Sequence, residues 1–579
     1  MQIAASLQAI LALFMLAAVG GDTNDPTRKG IGRQVHTFEL HDFRGKLHSL
    51  DDYADKQVIV VVFLGTECPL VQLYGGRLAE LDAKYAERGV QFLGINANRQ
   101  DNLTEIGAFA RINQIRFPIL KDPRNEVANL FGAERTPEVF VLDRGRAIRY
   151  RGRIDDQYGV GYQKAKAVRS HLSTAIEEVL AEEPVTHPFV EAVGCIIGRV
   201  STVKPSGDVT YGNQISRLIQ DRCIECHRPG EIAPFPLTNY DDAAAWSEMI
   251  REVVNEGRMP PWFANPEYGE FKGDAHLSNE EKHLINTWVE NGCPEGDSNK
   301  LPSPRDFVEG WGIKQPHAVF HMSDEPFQVP AEGVINYKYY TIDPGWKEDK
   351  WITASEARPG DRSVVHHILV FIKKPGRKYF PALPGELISA YAPGMKPTVS
   401  SPNMAFHVPR GSKIIFQMHY TANGAPHEDR SYVGFRFCDE KDVAMEVESG
   451  MAINVAFFIP PRNPDYKIVA AQRFHRDTYL LGVNPHMHLR GKAFRYEALY
   501  PNGTREILMD CPRYDFNWQL GYQFTEPKYI PKGTRLLCTA HYDNSSDNLN
   551  NPDPNRWVMF GEQNWNEMMI GFFFTATKR

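Results

Sequence analysis

The sequence predicts a multidomain chain: an α/β domain, then an all-α domain, then two all-β sandwich domains. Three textures predict it. Strands of the buried type alternate with amphipathic helices over residues 33–183, helical segments dominate 211–300, and short alternating segments between Pro and Gly turns run from 317 to the end. The length of 579 residues agrees, because a single hydrophobic core stops growing well short of it.

The first element is a leader. Ile3 to Gly21 is apolar or small, interrupted by Ser6 and Gln8, and reads as a secretory signal peptide within residues 1–25. No Lys or Arg precedes the run, so an uncleaved N-terminal anchor is the alternative. No later segment offers the ~20 uncharged apolar residues of a membrane span. The expectation is an exported protein, periplasmic or extracellular, that meets a membrane only through its N-terminus.

Within 33–183, Gln57 to Leu64 is a continuous β-branched run, as in a strand buried on both faces. Leu70 to Arg88 reads as an amphipathic helix, Val90 to Ile95 as a strand, Leu103 to Asn113 as a helix and Phe117 to Leu120 as a strand. A short helix follows at Glu126 to Phe131. Glu138 to Leu142 and Ala147 to Tyr150 form a closing hairpin, and Ala165 to Glu182 a last helix. Residues 184–210, with Pro184, Pro188 and Pro205, read as a linker.

Helices are expected at Asn213 to Asp221, Ala243 to Asn255 and Asn279 to Glu290. From 317 the strand candidates include Lys338 to Ile342, Val364 to Ile372, Lys413 to Tyr420, Tyr479 to Val483, Phe494 to Tyr500, Thr534 to Tyr542 and Ile570 to Thr577. Their span suggests two sandwiches, 317–440 and 441–579.

Apolar residues are 42% and charged residues 24%, ordinary globular usage. The net charge of −7 is spread along the chain, with no basic face for a nucleic acid. Eight cysteines are too sparse for a disulfide scaffold.

Cys223-Ile-Glu-Cys226-His227 is a C-x-x-C-H motif. Two thiols three positions apart at a helix start can reach both vinyl groups of one porphyrin, with the adjacent His facing the iron. The second axial ligand is Met259 in Gly257-Arg-Met-Pro-Pro-Trp262, a loop 32 residues on from His227. Zinc would want two more ligands nearby, and between 228 and 292 there are only His276 and His283 and no Cys. One covalent haem c is expected. The segment resembles a compact class I cytochrome c domain.

The β region carries His366-His367, His419 and His486-Met-His488. Neighbouring residues on a strand face opposite ways, so His366 and His367 can share a metal only where the strand twists or bulges. His-x-His puts both rings on one face. Several imidazoles without thiolate favour copper or zinc, and a thioether such as Met568 favours copper.

Val365-His-His-Ile-Leu-Val-Phe, Gln417-Met-His-Tyr, His486-Met-His-Leu-Arg-Gly-Lys492 and Glu567-Met568 together resemble, in order, the copper type II ascorbate-dependent monooxygenases. That family includes peptidylglycine hydroxylating and dopamine β-monooxygenases. The resemblance implies an electron-transfer copper on His366, His367 and His419, and an oxygen-binding copper on His486, His488 and Met568. It also implies hydroxylation of an organic substrate with O2 and electrons from a small reductant or a redox protein. Where peptide-amidating members have substrate-gripping Arg, Asn and Tyr, this chain has Asn484, Ile570 and Phe572. A carboxylate loses its bidentate partner there, which argues against a glycine-extended peptide. A Cys usual after the Met ligand is Met569, so Cys538 pairs with Cys511 or Cys438, or stays free.

Phe63-Leu-Gly-Thr-Glu-Cys68-Pro sits where a buried strand ends and a helix begins, a setting that favours thiolate. Thr136-Pro137 offers a cis bond nearby. Residues 35–182 resemble the thioredoxin-like redoxins of the alkyl hydroperoxide reductase and thiol-specific antioxidant group. Activity is less legible: the C-x-x-C position holds Val71, and Gly65 stands three before the thiol, beside Thr66. Cys68 could react with peroxide and be resolved by Cys195 in the linker. The functional expectation is a haem-fed copper monooxygenase with an accessory redoxin. The rivals are a thiol peroxidase and a non-enzymatic electron carrier.

Overall fold

The computed structural model describes residues 30–307, 310–331, 333, 335–379 and 384–579. The expected leader lies outside them. No helix among the described residues is long and apolar enough to cross a membrane. The chain divides into two compact units: residues up to Val160 with Ala167–Val200, and Gly161–Lys166 with Ser201–Arg579.

The first unit is a thioredoxin-like α/β domain around a five-stranded sheet. Its strands are β1 (Val58–Phe63), β2 (Val90–Asn96), β3 (Ile119–Lys121), β4 (Glu138–Leu142) and β5 (Ile148–Gly152), in spatial order β3-β2-β1-β4-β5. β1 runs parallel to β2 and antiparallel to β4. All six residues of β1 are buried; Val58, Val60 and Val62 enter one core, and Ile59, Val61 and Phe63 the other. This is how a two-sided strand uses an unbroken β-branched run.

Helix α1 (Pro69–Tyr85) leaves the C-terminal end of β1 with Cys68 as its N-cap and a Pro in its first turn. α2 (Leu103–Ile112) opens on a capping box between Asn102 and Glu105. α3 is Glu126–Phe131, and α4 (His171–Leu180) is shorter than the 165–182 the pattern suggested.

Residues 184–200 are not a linker. They strap across the first unit: Val190 N–H donates to the Arg151 carbonyl, Ile197 N–H to the Glu134 carbonyl, and Gly198 N–H to Asn98 Oδ1. Ile197 is fully buried. Its prolines and lack of periodicity concealed a segment whose backbone bonds go to the domain.

The second unit begins with a π-turn at Tyr211–Ile215 and helices α5 (Ser216–Arg222), α6 (Tyr240–Ala245), α7 (Ser247–Asn255) and α8 (Asn279–Glu290). The single helix expected at 243–255 is α6 and α7, separated at Trp246. The stretches between α5 and α6 and between α7 and α8 are irregular, so an all-α domain is not evident. The helices bury Tyr211, Ile215, Ile219, Ile285 and Trp288 among themselves, but the loop after α7 does not stay with them. Phe263, Ala264 and Phe271 enter the core of the C-terminal β region, and Trp262 meets Tyr522 edge to face at 5.0 Å.

The remainder is β-rich. The strands used below are β6 (Ala318–His321), β7 (Lys338–Ile342), β8 (Lys350–Arg358), β9 (Val365–Lys373), β10 (Glu386–Tyr391), β11 (Met404–Val408) and β12 (Lys413–Tyr420). They continue with β13 (Tyr432–Cys438), β14 (Met445–Asn454), β15 (Tyr466–Arg473), β16 (Thr478–His486), β17 (Gly491–Leu499), β18 (Arg505–Cys511), β19 (Tyr522–Ile530), β20 (Arg535–Tyr542) and β21 (Met569–Lys578). The two expected sandwiches are not separate. One nine-stranded sheet, with path β6-β13-β8-β11-β14-β21-β16-β19 and the short Thr398–Val399 strand pairing with β8 off that path, runs through both halves, joined where β11 pairs parallel with β14. Two four-stranded sheets, β7-β12-β9-β10 and β15-β20-β17-β18, complete the layers.

Alternation along the strands then makes a third surface. Ile368, Val370, Phe416 and Met418 fill a core shared with Ile352, Val433 and Phe435 of the long sheet, while Phe371 and Ile415 face Met568, Ile570 and Phe572. Met569 and Phe573 point the other way, into the core shared with Phe494 and Tyr496 of β17. The β9/β12 layer thus buries its outer face against the β21 end of the long sheet, and the histidines lie on these two facing surfaces.

Candidate functional site

His367 and His419 stand directly opposite each other on β9 and β12, on the odd-numbered face with Leu369 and Gln417. Alternation would turn His366 away. The register shifts between Val365 and His367, a bulge that brings His366 round to the same side. The Nδ1 atoms of His366 and His367 are 3.2 Å apart, as are those of His366 and His419. The three ligand nitrogens lie within 4.8 Å of one another and could hold a metal ion. A metal ~2.0–2.1 Å from each nitrogen in near-tetrahedral array spaces them by roughly 3.3 Å.

His486 ends β16 and His488 follows it, their rings 5.3 Å apart and edge to face. Both line a small pocket together with Met568, Tyr337, Leu369, Gln417, Glu562, Ile570 and Phe572. His486 Nδ1 donates to Gln519 Oε1 at 2.7 Å, and His488 Nδ1 to the Asn566 carbonyl at 3.3 Å. These bonds fix tautomers that leave both Nε2 atoms as ligands. His488 Nε2 is buried and has no hydrogen-bond partner.

The two histidine sets meet. The Tyr337 ring lies 4.8 Å from His419 and 6.4 Å from His488. Phe516 stacks on His366 at 5.1 Å and touches His488 edge-on at 6.0 Å. Burial lowers His366 and His486 to about 4 and His488 to about 3, and takes His367 and His419 well below the usual range. Imidazoles this weakly basic stay neutral, and three of them, His366, His367 and His419, pack with nitrogen facing nitrogen, a donor set suited to a soft or borderline cation.

A carboxylate holds the second set in place. Glu567, fully buried, accepts from His488 N–H at 2.8 Å and Arg490 N–H at 2.6 Å. Burial raises its carboxyl to about 7 against the opposing Arg490 charge. Tyr542 donates to the Met568 carbonyl at 2.8 Å, and Tyr514 to that of Met487. The motif contained Glu567 and Arg490 but gave no sign of these roles. Gln519, Phe516 and Tyr337 lie in irregular segments without local signal.

The C-x-x-C-H motif lies at a helix end, not a start: Cys223 is the C-cap of α5, and His227 N–H donates to the Cys223 carbonyl at 3.0 Å. This single turn brings both thiols and the His close together. His227 Nδ1 donates to the Phe235 carbonyl at 3.0 Å, leaving Nε2 for a metal. Phe235 in turn stacks on Trp246 at 3.9 Å. Burial pushes the Cys223 thiol up to about 12 and Cys226 to about 11. Met259 lies half-buried on the loop after α7, whose Glu256 carbonyl accepts from Arg513 at 2.6 Å. Glu231 bonds Arg228 at 2.8 Å and pairs with Arg362, three residues before β9.

In the first unit Cys68 is fully buried, and its thiol donates to the Thr136 carbonyl at 3.0 Å. The Thr136–Pro137 bond is cis. Cys195 lies opposite Thr136 in a two-residue antiparallel pairing, and its thiol and backbone N–H both bond Cys68. Burial pushes the Cys68 thiol up, but these bonds and the Val71 N–H outweigh it and hold it at about 7. All eight cysteines are free thiols. Cys511 on β18 and Cys538 on β20 flank β17, opposite Phe494 and Tyr496. Two strand spacings, ~9.5 Å, exceed the reach of a disulfide.

With this geometry in view, comparison with known proteins defines the class of the first unit. Residues 31–151 match the AhpC/TSA family. The thiol-disulfide oxidoreductase ResA of Geobacillus thermodenitrificans is 27% identical over 148 residues, 25% of this chain and 83% of that protein. The ResA of Geobacillus kaustophilus is 29% identical over 148 residues, again 25% and 83%. A solved hypothetical protein from Sinorhizobium meliloti 1021 is 31% identical, covering 30% of this chain and 95% of its own, with a TM-score of 0.28. The N-terminal unit is a thioredoxin-like redoxin domain, similar in sequence to these thiol-disulfide oxidoreductases.

Proposed function

We propose that this oxidoreductase is an exported copper-dependent monooxygenase that hydroxylates a C–H bond of an organic substrate with O2, fed with electrons through its own haem c. His366, His367 and His419 would hold the electron-transfer copper, and His486, His488 and Met568 the copper that works with O2. Cys223 and Cys226 would carry the haem, with His227 and Met259 on its iron. When bound, the coppers supply one-electron transfer and oxygen activation, and the haem delivers electrons singly.

One observation carries the reading: four buried imidazoles, the half-buried His366 and a thioether converge from two facing β surfaces, with the proton of His486 and of His488 held at Nδ1. The protein's own groups do the rest. Tyr337 and Phe516 cover the imidazoles and exclude water. Leu369, Ile570 and Phe572 offer an apolar wall to the substrate, and no Lys or Arg lines the pocket. Glu562 is the ionisable carboxyl there, so a neutral or cationic substrate is accepted over a carboxylate. The Arg228–Glu231–Arg362 chain links the haem motif to the strand of His366 and His367.

The test is metal content followed by turnover. Protein matured in a periplasm that attaches haem c should contain one iron and bind two coppers per chain. Oxygen should reoxidise its ferrous haem, and His486→Ala should abolish that reaction. No copper after reconstitution with Cu(I) and Cu(II), or reoxidation unchanged in the variant, removes the monooxygenase reading.

A further inference from the structure

The redoxin unit lacks the second thiol of a C-x-x-C turn, because Val71 occupies that position. A second thiol is nonetheless supplied, from the strap. Cys195 packs against the core that holds Cys68 and hydrogen-bonds it through both sulfur and backbone. The strap is pinned on either side. Ile197 and Gly198 are tied to Glu134 and Asn98. At Gly194, φ is +151°, and a Cβ would lie 2.0 Å from the Thr136 carbonyl oxygen, so only glycine lets the strap come this near.

The two thiols differ in access: Cys68 is 0% exposed, whereas Cys195 is half-buried. We propose that Cys68 and Cys195 are a reversible dithiol–disulfide pair serving external thiols and disulfides, with Cys195 as the sulfur that meets the partner. In oxidation, the Cys195 thiolate attacks one sulfur of a partner disulfide RSSR, forming Cys195–S–S–R and releasing RS⁻. The Cys68 thiolate then attacks the Cys195 sulfur, forming the internal disulfide and releasing the second RS⁻. Two electrons pass to the partner, and the two protein protons end on two RSH. In reduction, an external thiolate attacks Cys195, and Cys68 leaves. A sulfur at a helix N-terminus with several N–H and S–H donors is the better leaving group. The inference stands apart from the copper reading.

The test equilibrates the full chain in reduced and oxidised glutathione, quenches with acid, alkylates free thiols and maps peptides by mass spectrometry. The wild type should yield a peptide cross-linked between Cys68 and Cys195, reversed by excess dithiothreitol. Cys68→Ala should accumulate a glutathione adduct on Cys195, about tenfold above wild type, because nothing displaces it. Cys195→Ala should carry no adduct on Cys68. Absence of the cross-link in wild type throughout the buffer series overturns the pair without relying on any variant. An adduct on Cys68 in Cys195→Ala overturns the assigned order. Iron and copper content, measured on the same samples, reports separately on the metal sites.

Discussion

Gln519 joins the two histidine sets: its Oε1 accepts from His486 Nδ1 at 2.7 Å, and its Nε2 lies 3.5 Å from His367 Nδ1. The amide fixes the His486 tautomer from one side and borders the first set from the other. Gln519→Leu keeps the volume and removes both contacts. It should weaken copper at His486, His488 and Met568 by roughly 10–100-fold. Copper at His366, His367 and His419 should stay near wild-type affinity, since His419 Nε2 remains beside the Asn564 amide. Competition against a Cu(I) chelator reads both sites, and equal loss at both would contradict the prediction.

Glu567 ties the His486–Arg490 segment to the start of β21 through two backbone N–H groups. A glutamine offers one acceptor oxygen in place of two. Glu567→Gln should therefore cost about 1–3 kcal/mol of stability, the penalty of one buried donor left unsatisfied. Thermal or urea unfolding of the metal-free chain measures it, independently of any activity.

The sequence carries the redoxin core and the histidines well and the joints between parts badly. Buried strands such as Val58–Phe63 announce themselves because local composition reflects burial on both faces. The need for a bulge at His366 followed from strand geometry alone, and the bulge is present. What failed was non-local. The shared nine-stranded sheet depends on pairing between β11 and β14 across the expected boundary, which no period reveals. Phe263 and Phe271 looked like residues of a helical domain, yet complete the core of the β region. Cys195 was visible as a thiol, but its position beside Cys68 arises from a strap read as linker.

Cys68 should titrate near pH 7, where an ordinary thiol titrates at about 8.5. Thiolate absorbance at 240 nm, taken as the difference between wild type and Cys68→Ser, reads the transition. Removing the Cys195 thiol takes away a donor to the anion, so Cys195→Ala should move the midpoint upward. The sign for stability follows: a depressed thiol pKa contributes stability above the unfolded-state value, and that contribution is lost as pH falls through about 7. A midpoint unchanged in Cys195→Ala would show that the remaining donors, the backbone N–H groups of residue 195 and Val71 and the Thr136 hydroxyl, set it without the Cys195 thiol.

Arg362 is the last basic residue before the strand of His366 and His367, and its partner Glu231 also holds Arg228, the neighbour of His227. Tyr391, opposite Ile368 on the paired strand, has its phenol raised to about 12 by burial and lies near enough to Arg362 and Glu231 to feel their charges. The segment after the C-x-x-C-H turn is thus tied to the strand of His366 and His367 by the Glu231–Arg362 pair. Arg362→Ala breaks the contact without touching any proposed ligand, so one iron and two coppers should remain. Electron transfer falls steeply with separation, and a loosened join should slow oxygen-dependent reoxidation of ferrous haem several-fold. Stopped-flow absorbance at the haem bands measures the rate. A rate equal to wild type, with metals intact, would assign the Arg362–Glu231 pair to packing and require electrons to reach the histidines by another face.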